Sequence, residues 1–210
     1  MKLQLMYPNF PFWRAEVSRL ALHLGGVEFE NLHPTWREFR DIKDDGSLPF
    51  GQLPILKVDG VTIAQTGAIA RFCGKLSGHY PDDALEAAQV DQFIDAATDI
   101  TTKISPTMRI KDPEAKLAAR RELAEGTLPK WFGYLEALAG KGENGYLVGN
   151  SLTIADLAVW RLLGWFRSGL LDGIPATLVE GYPKLSAHSQ KVSSYPGIRE
   201  WMDTNYPQSG

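Results

Sequence analysis

The apolar pattern of this chain changes once, between residues 78 and 84, and this change limits the fold more than any other feature. Before it, short apolar runs alternate with segments of helical spacing. After Pro81 no run resembles a strand, and apolar residues recur every three or four positions. We therefore predict two domains, an α/β domain over residues 1–78 and an all-α domain over residues 85–210.

The first domain begins with a strand, a helix and a second strand. The strands are predicted over Lys2–Tyr7 and Val27–Leu32, and the helix over Trp13–Leu24. In such a unit the two strands run parallel and the crossover is right-handed. Residues 34–51 follow as a polar, irregular stretch.

A hairpin and a helix complete the first domain. Asp59-Gly60 separates the short apolar runs 54–58 and 61–63, and this dipeptide is a strong signal for a tight turn between antiparallel strands. The helix is predicted from Gln65 to Leu76. A β-α-β unit followed by β-β-α is the order of a thioredoxin-like domain.

The second domain is predicted to contain four helical regions, 85–108, 113–138, 153–163 and 183–202. The third has a well-defined start, because Thr153 is placed to cap the helix and Asp156 to accept a hydrogen bond from the Thr153 amide. Leu152 and Leu157 have the spacing of a hydrophobic staple. We interpret this segment as structural rather than catalytic.

The composition argues against several classes of function. Asp and Glu (25) outnumber Lys and Arg (22), giving a net charge of −3, so no nucleic-acid partner is expected. Cys73 is the only cysteine and the four histidines are far apart in the sequence, so neither a disulfide nor a metal site is predicted. We interpret Cys73 as a small buried apolar residue.

A membrane partner is not expected either. The first six residues are too mixed in character for the apolar region of a signal peptide. The most apolar later stretch, 157–166, is much shorter than the roughly 20 residues of a membrane span. We expect a cytoplasmic protein.

Several motifs occur in one order along the chain. They are Tyr7 with Arg14-Ala15-Glu16, the stretch LPFGQLPIL over 48–56, Asp59-Gly60, residues 64–71 and residues 149–156. In these segments the chain resembles the cytosolic glutathione S-transferases, most closely the tyrosine-type, sigma-like class. The resemblance covers nearly the whole chain. It implies the glutathione-transferase fold, with a cis-proline before the third strand, and a homodimeric detoxification enzyme.

The implied reaction transfers an alkyl or aryl group to glutathione, with no metal and no cofactor beyond this co-substrate. Its nucleophile is the thiolate, whereas a free thiol has a pKa near about 8.5. Lowering this pKa by about 2 units requires about 2.7 kcal/mol of preferential thiolate stabilisation. One hydrogen bond to a charged group supplies about 1.5–3 kcal/mol. A single well-placed hydroxyl can therefore supply most of the stabilisation that the thiolate requires.

Tyr7, at the end of the first strand, is the residue to which the resemblance assigns this role. Its phenol remains protonated in that role, since tyrosine titrates near about 10. No Ser or Cys lies between Met1 and Arg14, so the serine- and cysteine-dependent classes lack their residue here. The alternative is that Tyr7 only closes the sheet as an amphipathic aromatic residue.

Arg14 would support the thiolate through its charge or through water. The alternative is an arginine at a helix start that pairs with Glu16. Arg14 follows Tyr7 by seven positions, where the family usually has six, and Trp13 stands where the family often has glycine. We expect the loop 8–12 to be reshaped by this difference.

The resemblance also implies contacts along the glutathione peptide. Gln52, Leu53 and Pro54 form the cis-proline motif, in which the Leu53 main chain pairs with the cysteinyl part as an added strand would. The alternative is a strand that simply begins with proline. Gln65 and Thr66 open a helix, whose free N–H groups and dipole favour the γ-glutamyl carboxylate. The alternative for Thr66 is a plain helix cap.

Two further sets of polar residues are assigned by resemblance. One or more of Trp36, Arg40 and Lys43 bind the glycine carboxylate, and the alternative is a solvated basic turn. Asp99 reaches across a dimer interface to the glutathione amine of the neighbouring subunit.

Asp99 also ends a stripe of like charge. Asp91, Asp95 and Asp99 recur every four residues, a spacing that destabilises a helix by about 0.2–0.5 kcal/mol per pair and invites an external cation. The alternative is a solvated helix face with an Asp99–Lys103 pair.

The second substrate is expected to be a small apolar electrophile held between the domains. Candidate walls of its pocket are Phe10, Phe12, Trp13 and Met108, and the alternative is that these residues belong to the core. Two other functions remain open, a non-enzymatic structural or binding protein with a transferase-like fold and a glutathione-dependent isomerase. A thiol-disulfide reductase is disfavoured because the end of the first strand carries no cysteine.

Overall fold

The computed structural model describes residues 1–207, so the last three residues of the predicted second domain lie outside the described part of the chain. Its four strands are β1 (Leu3–Met6), β2 (Glu30–Leu32), β3 (Ile55–Val58) and β4 (Val61–Ala64). They form one sheet in the order β2-β1-β3-β4, with β1 parallel to β2 and the other pairs antiparallel. The predicted parallel pairing of the first two strands and the predicted hairpin are therefore confirmed.

Two local features of the sheet follow directly from backbone chemistry. Asp59 and Gly60 both have positive φ angles, +48° and +90°, as the tight turn between β3 and β4 requires. The prediction that β2 begins at Val27 was wrong. The Val27 amide donates instead to the Leu22 carbonyl at the end of the preceding helix, at 2.9 Å, and this removes it from the strand ladder.

The stretch predicted to be irregular contains a helix. The first three helices are α1 (Trp13–Leu24), α2 (Trp36–Asp44) and α3 (Thr66–Ser77). Thr35 and Glu38 form a capping box at the start of α2. None of the residues of α2 is buried, although Trp36, Phe39 and Ile42 recur every three positions and Phe39 and Ile42 are half-buried.

The rest of the described chain is helical. Its helices are α4 (Ala84–Ile104), α5 (Pro113–Glu122), α6 (Leu128–Leu138), α7 (Ile154–Arg167), α8 (Pro183–Ser193) and α9 (Pro196–Asn205). Three predicted helices are divided. A 3-10 segment, Ser105–Arg109, follows α4, and a π turn, Leu123–Thr127, separates α5 from α6. Pro196 starts a new helix after α8, because the residue before a proline disfavours helical geometry.

Helix α7 lies at the centre of the molecule and packs against α1, α4 and α8. Its first turn is held by Asp156, which accepts hydrogen bonds from the Thr153 amide at 2.8 Å and the Thr153 hydroxyl at 2.9 Å. Further along α7, the Arg161 guanidinium donates to the Pro11 carbonyl at 2.6 and 3.1 Å. This contact ties the helical part of the chain to the loop that follows β1. Within residues 1–207, no helix is both long and apolar enough to cross a membrane.

Candidate active site

A pocket of about 190 Å³ lies where the sheet, α1, α3 and α4 meet. Its lining residues are Trp13, Arg14, Phe50, Gln52, Leu53, Pro54, Ala64, Gln65, Thr66, Gly67, Thr98 and Thr102. A larger depression of about 600 Å³ at the outer edge of β2 contains none of the predicted site residues and is widely open to solvent. The candidate site is therefore the smaller pocket, which gathers Gln52, Leu53, Pro54, Gln65 and Thr66, half of the residues that the resemblance assigns to glutathione.

One side of the pocket is the cis peptide Leu53–Pro54, which precedes β3. β1 pairs with β3 up to Met6 opposite Ile55. Tyr7, which follows Met6, and Pro54, which precedes Ile55, are therefore brought together at the same edge of the sheet. The expectation of a cis-proline before the third strand is confirmed.

The opposite side of the pocket is the start of α3. Gln65 is the N-cap residue, has a φ of +73° and makes no side-chain capping bond, so the interpretation of Thr66 as the cap was wrong. A non-glycine residue at positive φ costs about 1–3 kcal/mol, and such residues cluster at binding sites. The first amides of α3 therefore have no side-chain capping partner, and Thr66 and Gly67 line the pocket, which leaves their amides free for an anion.

Tyr7 is buried at the end of β1, and its ring lies 5.4 Å from that of Phe10. Burial raises the pKa of the Tyr7 phenol to about 12, although the nearby charges of Arg14 and Arg19 act in the opposite direction. The phenol is therefore neutral at physiological pH and is able to donate a hydrogen bond. Tyr7 does not itself line the pocket of about 190 Å³.

Arg14 lines the pocket, and its guanidinium lies 5.9 Å from the centre of the Phe12 ring. The alternative in which Arg14 pairs with Glu16 was wrong, because Glu16 is bound by Arg19 at 3.1 Å in a fully buried ion pair. Among the described residues, no carboxylate lies within ion-pair distance of Arg14. Its charge therefore remains available at the pocket.

The loop after β1 carries two of the predicted apolar residues. Phe10 is 44% exposed and stacks on Phe12, with ring centres 5.9 Å apart. Phe12 is buried and meets Trp165 of α7 edge-on at 4.9 Å. The loop therefore presents Phe10 to solvent next to Tyr7, while Phe12 anchors it to the helical part.

Trp13 and Met108 differ in their surroundings. Trp13 is 1% exposed and its indole N–H donates to the Thr101 hydroxyl at 2.8 Å, so the ring joins α1 to α4. Met108 is 48% exposed, and its sulfur accepts a hydrogen bond from Arg120 at 2.9 Å. Trp13 lines the pocket and Met108 does not.

The three predicted residues of the polar stretch lie on α2. Trp36 is 78% exposed and Arg40 is also exposed. The Lys43 side chain lies against Gly51, where its Cε is 3.6 Å from the position that a Cβ atom would occupy. Lys43 is therefore beside the loop that carries Phe50 and Gln52 into the pocket.

The acidic stripe on α4 is satisfied mainly from within the chain. Arg71 of α3 binds Asp91 at 2.6 Å and Asp95 at 3.4 Å, so the expectation of an external cation was wrong for these two residues. The Asp99–Lys103 pair was also wrong, because the Lys103 ammonium lies 4.6 Å from the centre of the Trp131 ring and makes no ion pair with Asp99. Asp99 is exposed.

Sequence reasoning missed five residues of the pocket, which are Phe50, Ala64, Gly67, Thr98 and Thr102. Thr98 and Thr102 lie on the face of α4 that carries Asp91 and Asp95, so the helical periodicity could have found them. Ala64 and Gly67 are immediate neighbours of the predicted residues Gln65 and Thr66, and Phe50 lies two positions before Gln52.

Neither the single cysteine nor the potential metal ligands of the described chain form a second reactive site. Cys73 is buried, and burial raises the pKa of its thiol to about 12, so it is not a ready nucleophile. In the described chain, no group of three or more His, Cys, Asp or Glu side chains is arranged to hold a metal ion.

Together these features define a class of protein, in which a thioredoxin-like sheet with a cis-proline and a helical bundle share a pocket. Two family descriptions match the chain, "Glutathione S-transferase, N-terminal domain" over residues 3–74 and "Glutathione S-transferase, C-terminal domain" over residues 98–205. The chain therefore belongs to the glutathione S-transferase family, as the motifs predicted.

Individual relatives agree with this assignment. "Probable glutathione S-transferase 7" of Caenorhabditis elegans is 33% identical over 192 residues, which is 90% of each chain. The solved structure of a glutathione S-transferase from the hookworm Necator americanus has a TM-score of 0.80 and 32% identity, covering 100% of this chain and 99% of that one. The structure of prostaglandin synthase D of Nilaparvata lugens has a TM-score of 0.85 and 27% identity, covering 100% of both chains. The predictions of the fold and of a glutathione S-transferase enzyme are confirmed.

Proposed function

We propose that this protein is a tyrosine-type, sigma-like glutathione transferase that activates the thiol of glutathione with the Tyr7 hydroxyl. The observation that carries the proposal is the position of Tyr7, a buried neutral phenol at the same sheet edge as the cis peptide Leu53–Pro54. When the peptide of glutathione pairs with the Leu53 main chain, its thiolate lies at the same edge of the sheet as Tyr7.

In the proposed reaction, glutathione binds with its thiol facing Tyr7. The thiol proton leaves to solvent, and the phenol O–H donates to the sulfur that remains. The thiolate attacks an electrophilic carbon and forms the C–S bond, and the leaving group departs with its electron pair. Arg14 contributes a positive charge near the developing thiolate, since no carboxylate of the described chain neutralises it. Phe10, Phe12, Trp13 and Met108 are the proposed walls for the apolar electrophile.

The two carboxylates of glutathione have separate sites in this proposal. The γ-glutamyl carboxylate binds the first amides of α3 together with the Thr66 hydroxyl and the Gln65 side chain. Gln52 and the Leu53 main chain hold the middle of the peptide. The glycine carboxylate is bound by side chains of α2. The contact of Lys43 with Gly51 supports Lys43 most directly, and Arg40 and Trp36 are exposed on the same helix.

The Thr66→Val variant is expected to bind glutathione roughly 10- to 100-fold more weakly, because one hydrogen bond to a charged carboxylate contributes about 1.5–3 kcal/mol and about 1.4 kcal/mol corresponds to tenfold. Isothermal titration calorimetry measures this change. Thr62→Val in β4 is the matched control, since Thr62 lies outside the pocket. Equal affinity in the two variants would remove Thr66 from the site.

The function itself is tested on the wild-type protein. The ultraviolet absorbance of the thiolate is titrated against pH with glutathione bound, and we expect a thiol pKa about 2 units below the free value. Glutathione that does not bind would support the non-enzymatic alternative and contradict the proposal. Mass spectrometry of the products with an aromatic electrophile then identifies the S-conjugate.

A homodimer is part of the proposal, with Asp99 binding the amine of the glutathione in the partner subunit. Exposure of Asp99, and the absence of an ion-pair partner for it among the described residues, support this role. The Necator structure is described as monomeric, so the state of this chain in solution needs its own measurement by analytical ultracentrifugation.

Asp99→Asn is expected to weaken glutathione binding about threefold to fivefold, because a partly exposed ion pair contributes at most about 1 kcal/mol. Calorimetry at concentrations above and below the dimer dissociation constant checks this. Asp82→Asn, an exposed aspartate before α4, is the control. A wild-type monomer that binds glutathione as tightly as the dimer would contradict the role of Asp99.

A glutathione-dependent isomerase is a second candidate, favoured by the 27% identity to a prostaglandin synthase D over the whole chain. The same Tyr7-stabilised thiolate would serve that reaction, but glutathione would be recovered unchanged. Product analysis separates the two, since only a transferase consumes glutathione. A role in detoxification and a cytoplasmic location remain proposals, as does the division into domains at 1–78 and 85–210.

A further inference from the structure

A fully buried arginine holds the loop that carries Tyr7. Arg19 of α1 donates to the main-chain carbonyls of Tyr7 at 3.1 Å, Pro8 at 3.2 Å and Phe10 at 3.4 Å. Its Nε donates to the Asn31 side chain at 3.0 Å. Because the donors of a guanidinium point in fixed directions, the orientation of Arg19 constrains all three carbonyls. The Tyr7 carbonyl is also in contact with His33 Nδ1 at 3.0 Å, so Arg19 shares this one position.

The orientation of Arg19 depends in turn on Glu16 and on two residues far away in the sequence, Trp201 and Tyr206. Glu16 accepts from Arg19 at 3.1 Å with one carboxylate oxygen, and its other oxygen accepts from the Trp201 indole. The Tyr206 hydroxyl donates to Glu16 at 2.8 Å and accepts from Arg19 at 3.0 Å. Tyr206 therefore closes a triangle with the ion pair, and its single hydroxyl is bonded to both charges.

This arrangement is more than a buried ion pair. Arg19 Nη1 is shared among Glu16, Tyr206 and the Phe10 carbonyl, so the loss of one acceptor changes the balance of the others. Nη2 of the same guanidinium binds the carbonyls of Tyr7 and Pro8. A rotation of the guanidinium in its plane therefore displaces the main-chain carbonyls of Tyr7 and Pro8, to which Nη2 donates.

We propose that Tyr206 is a positioning residue for Tyr7, which it aims at the glutathione sulfur by fixing the Arg19 guanidinium through the Glu16 pair. The inference rests on the proposed role of Tyr7 in thiolate stabilisation. It makes the segment after α9 a part of the active-site architecture, 199 positions from Tyr7 in the sequence. Tyr206 acts through Arg19 and does not touch the substrate.

The test is Tyr206→Phe, which keeps the ring and removes the hydroxyl. We expect the pKa of the bound glutathione thiol to rise by about half a unit to one unit, where one unit is a tenfold change in the ionisation constant. At a pH below that pKa, kcat is expected to fall roughly three- to tenfold while KM for glutathione stays within about twofold, since only the interaction with the thiolate weakens.

A second measurement does not depend on glutathione. Hydrogen–deuterium exchange of the peptide covering residues 7–12, followed by mass spectrometry, reports the order of the loop, where the Phe10 and Phe12 amides donate within the loop at 2.9 Å. Faster exchange in Tyr206→Phe supports the proposal. Tyr182→Phe is the matched control, because it also removes a bonded tyrosine hydroxyl, one that donates to the Pro129 carbonyl at 2.9 Å and not to the Glu16–Arg19 pair.

The outcomes distinguish a failure of the proposed function from a failure of the role proposed for Tyr206. A wild-type thiol pKa equal to that of free glutathione contradicts the proposed function, and the loop exchange alone then decides whether Tyr206 orders the loop. A shifted wild-type pKa that Tyr206→Phe leaves unchanged, with unchanged loop exchange, overturns the inference. Equal effects of Tyr182→Phe and Tyr206→Phe overturn it as well, because both changes would then reflect general destabilisation.

Discussion

Tyr7→Phe is expected to raise the pKa of the bound glutathione thiol by about 2 units, to near the free value of about 8.5. The phenol is neutral because burial raises its pKa to about 12, so the hydroxyl acts as a hydrogen-bond donor and not as a base. Removing one hydrogen bond to a charged sulfur costs about 1.5–3 kcal/mol, which corresponds to a roughly 10- to 100-fold loss of kcat/KM.

The pH dependence makes this test specific. Between the two thiol pKa values, the wild type holds glutathione as thiolate and the variant holds it as thiol, so the difference in rate is largest there. Above about pH 9 both thiols are ionised and the difference from ionisation disappears. Thiolate absorbance and steady-state rates over this range measure both effects, with Tyr182→Phe as the control. Coincident titrations of wild type and Tyr7→Phe would show that Tyr7 is structural and that the activator is another group, such as Arg14.

Asp156→Ala is expected to lower the free energy of unfolding by about 3–5 kcal/mol, the usual cost of removing one partner from a buried charged network. Asp156 is fully buried and accepts from the Leu147 amide at 2.8 Å and from His188 at 2.9 Å, besides the two bonds from Thr153. Its loss leaves these donors unsatisfied at the start of the central helix.

Urea denaturation followed by tryptophan fluorescence measures this effect. Asp112→Ala is the matched control, because Asp112 is also an N-cap aspartate that accepts from two amides, those of Glu114 and Ala115, but it is exposed at the start of α5. We expect a much smaller loss in the control, since water replaces the bonds of an exposed cap. Equal losses in the two variants would mean that Asp156 acts only as an ordinary cap.

Part of the lining of the candidate pocket could be predicted from short motifs. Leu53, Pro54, Gln65 and Thr66 lie at a strand start and a helix start, where the local backbone determines which polar groups are free. The same local logic explains the capping residue Asp156. Helix α2 was missed although two local signals were present, the Thr35–Glu38 capping box and the apolar residues Trp36, Phe39 and Ile42 at every third position, because its many charged residues suggested a polar loop.

Which partners the charged residues take was decided mainly by the tertiary structure. The pairing of Glu16 with Arg14 joined residues two positions apart, which do not face each other on a helix, whereas Arg19 follows Glu16 by three positions and does. Packing adds the burial of this pair, because Arg19 and Glu16 are in the core while Arg14 lines the pocket. Similarly, Arg71 of another helix, and not an external cation, neutralises Asp91 and Asp95.

The sequence by itself determined the order of the four strands with α1 and α3, the tight turn at Asp59-Gly60, the start of α7 and the family. These features follow from backbone preferences and periodicities that act over a few residues. The tertiary structure alone decided which charges pair, which face of α4 meets the pocket and how Tyr206 reaches Arg19. Such contacts join residues far apart in the sequence, and they depend on how whole helices pack, since a buried charge takes the partner that the packing brings to it.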